Sequence, residues 1–154
     1  MSPKYAIRPA TAADYWYCYR LTKTNMLELF TRHWGGWVSA KFREGFAVNV
    51  VSIVVIRGRR AGYLSVNNRQ DGLYLDNIQL SPTIRGQGIG TSILKQLQAD
   101  NTSTSIHLTT FVDNPAKHLY ERLGFVAVDK RGTTIKMTWN PKGSAQQAGE
   151  ILQR

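Results

Sequence analysis

The sequence predicts one α/β domain built on a mixed, mostly antiparallel central sheet of about seven strands flanked by about four helices. Three observations carry this. Residues 46–80 are rich in Val, Ile, Leu and Tyr, and turn residues cut them into strand-length runs. From Ile89 to Asp100 the pattern becomes helical, with Ile89, Ile93, Leu94 and Leu97 on one face. After Ser105, strand and helix patterns alternate once more and the chain then closes on a hairpin.

The elements follow in order. Tyr5–Arg8 reads as a first strand ended by Pro9. Thr11, with Asp14 three residues on, has the form of a helix N-cap followed by an acidic first turn. The helix it opens carries Trp16, Cys18, Tyr19, Met26 and Phe30 toward His33, where Gly35-Gly36 breaks it. Trp37 to Arg43 is expected as a second, shorter helix. Phe46–Ile56 is dominated by β-branched residues, as in a strand buried on both faces. An Arg57–Arg60 turn leads to a strand at Ala61–Asn67, and Asp71-Gly72 signals a hairpin into Leu73–Leu80. These three strands form an antiparallel meander. Beyond the Ile89–Asp100 helix come a strand at Ser105–Val112 and a helix from Pro115 to Leu123, stopped by Gly124. Phe125–Val128 and Thr133–Trp139 close the sheet around Arg131-Gly132. Residues 1–140 thus make a single domain, followed by a polar tail over 141–154 in which Ser144 and Gln147 could cap a short helix through Leu152.

Composition narrows the functional classes. The 154 residues are 42% apolar and 19% charged, the balance of a folded chain. The longest apolar-rich stretch, Phe46 to Ile56, is interrupted by Asn49 and Ser52 and is about half of a membrane span. No membrane association is expected, and with no apolar leader before Tyr5 a cytoplasmic location is. Cys18 is the single cysteine, so an internal disulfide is excluded and no metal site is expected. The net charge of +10 is spread over both halves of the chain, so it favours polyanions in general and no particular one.

Arg85-Gly86-Gln87-Gly88-Ile89-Gly90 lies between a strand and a helix. Its glycines let the backbone turn tightly and approach a ligand, and amides at a helix start favour anions. Taken alone it is either a phosphate cradle or an ordinary turn. Ile89-Gly90-Thr91 lacks the Lys-Ser/Thr ending of a P-loop, and Arg85 stands where a dinucleotide fingerprint needs its first glycine. A second motif follows the next strand, Asn114-Pro115-Ala116-Lys117-His118-Leu119-Tyr120-Glu121-Arg122-Leu123-Gly124-Phe125.

Together these segments resemble the Gcn5-related N-acetyltransferase (GNAT) family. Arg85, Gly88 and Gly90 match its pyrophosphate loop, and Asn114, Ala116, Leu119-Tyr120 and Gly124-Phe125 match its later signature. The element order agrees from about residue 4 to 139, with the sharp motifs between 73 and 125. The spacing from Asn114 to Tyr120 is one residue shorter than in many members, which brings Asp113 in as a candidate to share the asparagine's role. The resemblance implies a GNAT-like fold and acetyl-CoA as acyl donor, without a metal. It implies cofactor contacts from Arg85, Gly86, Gln87, Gly88, Ile89, Gly90 and Thr91 at the phosphates, and from Asn114 and Tyr120. It also implies a bulge near Asn77–Leu80, where Ile78, Gln79 and Leu80 would pair with the pantetheine arm and the Leu80 amide would serve the oxyanion.

Acyl transfer needs a neutral amine to attack the thioester and an acid for the leaving thiolate. Tyr120 is the candidate acid, since a phenol near pKa ~10 stays protonated at neutral pH. For the base, the strand positions that carry Glu in some members hold Tyr74 and Thr109. Asp76, two residues from Tyr74, is the leading candidate, acting through water; it reads equally as a carboxylate satisfied by backbone or arginine. His107 is the alternative base or a packed strand histidine. Trp34 and Trp37 sit where this fold builds its acceptor wall, and either line an amine pocket or pack the core. Tyr74 and His107 join them as candidate substrate-side residues, and Asp76, Glu28 and Glu44 could make the pocket acidic.

The leading expectation is therefore an N-acetyltransferase acting on a primary amine of a small molecule, peptide or protein. Two other classes stand beside it. One is a catalytically silent CoA-binding sensor. The other is a basic nucleic-acid-binding module using the Arg57–Arg60 tip, for which no nucleic-acid motif is present. A homodimer is compatible with the family, but no seam is legible. Neither the acceptor nor the acyl length can be read from the chain.

Overall fold

The computed structural model describes residues 4–141, so the expected helix near Ser144–Leu152 lies outside the described residues. Seven strands form one sheet in the order β1-β2-β3-β4-β5-β7-β6. They are β1 (Ala6–Pro9), β2 (Val51–Ile56), β3 (Arg59–Arg69), β4 (Gly72–Leu80), β5 (Ile106–Phe111), β6 (Val126–Arg131) and β7 (Thr134–Trp139). Four α-helices accompany them: α1 (Tyr15–Trp34), α2 (Ser39–Gly45), α3 (Ile89–Asp100) and α4 (Ala116–Arg122). Strands β4 and β5 pair in parallel through Leu73↔Ile106 and Tyr74↔His107. Among the described residues no helix is long and apolar enough to cross a membrane.

By contacts the chain divides into two compact units. The first holds the chain up to Val66 together with Asp76–Gly90. Its start is fixed by charge. The Asp14 side chain is 3% exposed; it accepts from Arg8 at 2.9 Å and from Arg60 at 3.3 Å, and the Thr11 amide donates to it at 2.9 Å. These bonds, Arg8 first, hold its carboxyl well below the usual carboxylate range. The Thr11–Asp14 signal therefore marks a capped single turn, Ala12–Asp14, that runs on into α1. The turn expected over Arg57–Arg60 is Arg57-Gly58 alone, with φ of 53° and 76°, because β3 already begins at Arg59; the exposed Arg60 also reaches back to Asp14.

Helix α1 ends as expected at Gly35, whose φ of 80° is open to glycine. The Gly36 amide donates to the Phe30 carbonyl and closes the turn. Cys18, Leu21, Val51, Ile53 and Tyr63 are the core of this unit. Helix α2 begins at Ser39, later than the expected Trp37: Trp37 packs on Tyr19, Phe30 and Phe42, and Val38 is the extended residue that caps the helix. The strand expected from Phe46 begins only at Val51; Val48–Val50 make a 3-10 turn first. On β3, Gly62 admits a close crossing of β4: a Cβ there would lie 2.5 Å from the Gln79 carbonyl.

The second unit holds Asn67–Leu75 and the chain from Thr91 on. Its buried residues include Ile93, Leu94, Ile106, Leu108, Phe111, Phe125 and Met137. Strand β7 pairs β5 along Ile106↔Trp139 to Phe111↔Thr134, and β6 pairs β7 around a turn whose Gly132 has φ 61°. Gly124 (φ 92°) ends α4.

Candidate active site

Strand β4 runs into a short turn at Pro82–Ile84 and then into the glycine loop. Arg85 is extended, while Gly86 and Gly88 take φ of 78° and 80°, a conformation that L side chains resist. Residues 85–88 are all exposed; at Ile89, 1% exposed, the chain dives into α3. Gln87 Nε2 donates to the Thr83 carbonyl at 3.4 Å and braces the loop. The first amides of a helix lack intrahelical acceptors and carry its positive end. An open glycine turn with an arginine, set at such an end, has the donor set for a diphosphate, and the residues present fit one.

Just before the loop, β4 carries a buried polar chain that the sequence reading did not single out. Asn25 Nδ2 on α1 donates to the Leu80 carbonyl at 3.0 Å and to Gln79 Oε1 at 3.1 Å. Gln79 Nε2 donates to Asn77 Oδ1 at 2.8 Å, and Asn77 Nδ2 to the Tyr63 hydroxyl at 3.0 Å. Tyr63 and Thr22 share a bond of 2.5 Å, and Thr22 Oγ1 donates to the Cys18 carbonyl at 2.7 Å. A carbonyl only accepts, so Thr22 spends its proton there and Tyr63 must donate to Thr22. The hydroxyl protons of Thr22 and Tyr63 are thereby both assigned. The chain fixes β4 at Gln79-Leu80, two of the residues expected to meet a pantetheine arm. Its signal in the sequence was present: Asn77 and Gln79 interrupt an otherwise apolar strand on one face. The partners on α1 and β3 could not be paired with them without the fold.

The same unit holds a cavity of ≈ 250 Å³, walled by Phe30, Trp34, Trp37, Phe42 and Phe46, with Asp76 on its β4 side. Trp34 and Trp37 thus line a pocket, and Trp34 remains 56% exposed. Trp37 is held by its Nε1, which donates to the Tyr19 hydroxyl at 3.1 Å; Tyr19 in turn bonds Ser39 at 2.6 Å. Of the carboxylates expected near an acceptor, Asp76 lines the wall, while Glu28 pairs with Arg32 at 2.9 Å on the surface.

In the second unit Tyr120 is buried at 7% exposure, edge-on to Phe125 at 6.0 Å between ring centres. Burial pushes its phenol up to about 12. Asn114 Oδ1 accepts the Ala116 amide at 3.0 Å and its Nδ2 donates to Thr110, so the motif asparagine ties the start of α4 to β5. His107, 8% exposed, is engaged at both nitrogens: Nε2 meets the Asp71 carbonyl at 3.0 Å and Nδ1 meets Thr138 Oγ1 at 2.7 Å. Since Nε2 faces a carbonyl it must donate, and Nδ1 shares its bond with the Thr138 hydroxyl. Tyr74 lies over His107 with ring centres 4.8 Å apart, donates to Asp71 at 2.7 Å and accepts from Lys136 at 3.2 Å. Among the described residues no group of His, Cys, Asp and Glu could hold a metal ion.

The acetyltransferase (GNAT) domain family matches residues 49–127, which contain β2 to the start of β6 and both motifs. This chain belongs to the GNAT acetyltransferases. No curated protein matches the chain. The GNAT fold is shared with solved structures at low identity. PaiA N-acetyltransferase from Thermoplasma acidophilum, in complex with coenzyme A, superposes with a TM-score of 0.70 at 13% identity, covering 89% of this chain and 99% of that one. An acetyltransferase from Thermus thermophilus gives 0.71 at 17%, covering 90% and 99%. The ribosomal-protein-S18-alanine N-acetyltransferase from Escherichia coli gives 0.67 at 20%, covering 88% and 92%. In this GNAT domain the glycine loop, β4 and the Asn114–Phe125 motif all fall within the family's matched span.

Proposed function

We propose that the chain is an acetyl-CoA-dependent N-acetyltransferase that moves an acetyl group to a primary amine by direct attack. The observation that carries this reading is the exposed Arg85–Gly88 turn, left-handed at both glycines and running straight into α3, inside the segment that matches the GNAT family. Arg85 to Thr91 hold the pyrophosphate of the donor, and the backbone of Ile78, Gln79 and Leu80, locked by Asn25, receives the pantetheine arm as an added strand. Asn114 and Tyr120 complete the donor's contacts.

In the reaction the amine nitrogen attacks the thioester carbon. A C–N bond forms, the carbonyl electrons move onto oxygen, and the Leu80 amide donates to that oxyanion. Collapse breaks the C–S bond, and the electron pair leaves on sulfur. Tyr120 supplies a proton to the thiolate, and the amine's proton departs through water to Asp76, giving an amide and a free thiol. A phenol held protonated to about 12 is a reluctant acid toward a thiolate in water. A thiolate expelled into a desolvated site is itself raised by the same burial, which narrows that gap.

His107 is not the base in this reading, because both of its ring nitrogens already face protein partners, the Asp71 carbonyl and the Thr138 hydroxyl. The test is free-thiol release from acetyl-CoA with a panel of primary amines. Amine-dependent release supports the transferase; acetyl-CoA binding without release under any amine would leave a sensor instead.

A further inference from the structure

We infer that the aromatic cavity of the first unit is the acceptor site and that its acceptor is a primary monoamine carrying an aromatic ring on a short alkyl chain. This rests on the transferase reading, which supplies the amine; the body attached to it follows from the walls. Phe30 stands between Trp34 and Trp37, with ring centres at 4.8 and 5.5 Å and planes within 34° and 14° of parallel. Trp37 continues to Phe42 at 5.9 Å, and Phe42 to Phe46 at 5.4 Å. The rings thus pack on one another into one continuous aromatic wall, against which a flat apolar body can lie. Trp34, more than half exposed beside this stack, is a large apolar surface left in water that a seated ring would cover.

The charges of the wall limit the acceptor to one ammonium. Asp76 and Lys41 both line the cavity, so its wall sets a carboxylate against a cation. A polyamine would bring its second ammonium into the field of Lys41 and of a chain with net charge +10. Hydroxyl-rich polycations fit no better. Three of the polar groups on the wall, Thr22, Tyr63 and Asn77, already bond one another, and the Thr22 and Tyr63 protons are both spent in those bonds. A sugar hydroxyl therefore finds no free proton on either hydroxyl.

Calorimetric titration of the CoA-saturated protein with 2-phenylethylamine, n-butylamine, spermidine and an aminoglycoside tests this. 2-Phenylethylamine is expected to bind about tenfold tighter than the other three. Trp34→Ala, at a site exposed enough to leave folding intact, and Trp37→Leu should each remove most of its advantage over n-butylamine. Asp76→Asn should weaken 2-phenylethylamine and leave the neutral 2-phenylethanol unchanged. Tighter binding of spermidine or the aminoglycoside, or an undiminished phenyl preference in Trp34→Ala with a wild-type circular dichroism spectrum, would overturn the assignment. Thiol release with polycations alone would remove the arylalkyl acceptor and keep the transferase. Failure to bind CoA, seen before any amine is added, would remove the transferase itself.

Discussion

Tyr120 and Asp14 are both buried ionisable groups, and burial acts on them in opposite ways. At Tyr120 nothing offsets desolvation, so the phenol keeps its proton far above neutral pH. As proton donor it should be needed for turnover and not for donor binding. Tyr120→Phe is expected to lower kcat by about 10²- to 10⁴-fold with CoA affinity within a factor of about 2, read by steady-state kinetics and calorimetry. At Asp14 two arginines and the Thr11 amide overcome desolvation and depress the pKa. A depressed carboxyl contributes stability that is fully present above its unfolded value of ~3.9 and is lost as pH falls toward its folded one. Asp14→Asn should therefore cost about 2 kcal/mol at neutral pH and flatten the loss of stability below about pH 4, measured by urea melts across that range. The Thr11–Asp14 pair was legible as a cap, but its arginine partners come from β1 and β3 and no local pattern reveals them.

At the scale of elements, two glycines do separate work. Gly88 at φ 80° bends the chain toward α3, and a branched side chain there would be strained and would crowd an approaching phosphate. Gly88→Val is expected to reduce CoA affinity by about a hundredfold or more while the melting temperature shifts only a few degrees, by about 2–4 °C for a chain of this size. Gly62 is different, because its missing Cβ lets β3 pass within contact distance of the Gln79 carbonyl. Gly62→Ala must push β4 away, so about 1–3 kcal/mol of stability should be lost, and CoA affinity with it, since β4 is the strand proposed to pair with the donor. Most elements were legible because their signals are local: Asp71-Gly72, the Ile89–Leu97 spacing and Gly124 each act within a few residues. The start of β2 was not, because Phe46 and Val48 carry strand propensity while Phe46 is spent on the aromatic cluster. Asn77 and Gln79 were legible as interruptions, whereas their partners Asn25 and Tyr63 lie 54 and 14 residues away.

For the whole molecule, the proposed activity is transfer of the acetyl group of acetyl-CoA to an amine. The loop and the Asn114–Phe125 motif point to the donor from sequence through their joint resemblance to the GNAT family. The acceptor was not legible, because its walls come from α1, α2 and β4, and the spacing of Phe30, Trp34, Trp37 and Phe42 gives no sign that their rings face one cavity. The most direct test is product identification: the purified protein is incubated with acetyl-CoA and 2-phenylethylamine, and the mixture is analysed by mass spectrometry. The expected result is an amine product heavier by one acetyl group, with the acetyl on nitrogen, formed in step with free CoA and nearly absent with Gly88→Val. No acetylated amine with this or any primary amine, from protein that binds acetyl-CoA, would contradict it.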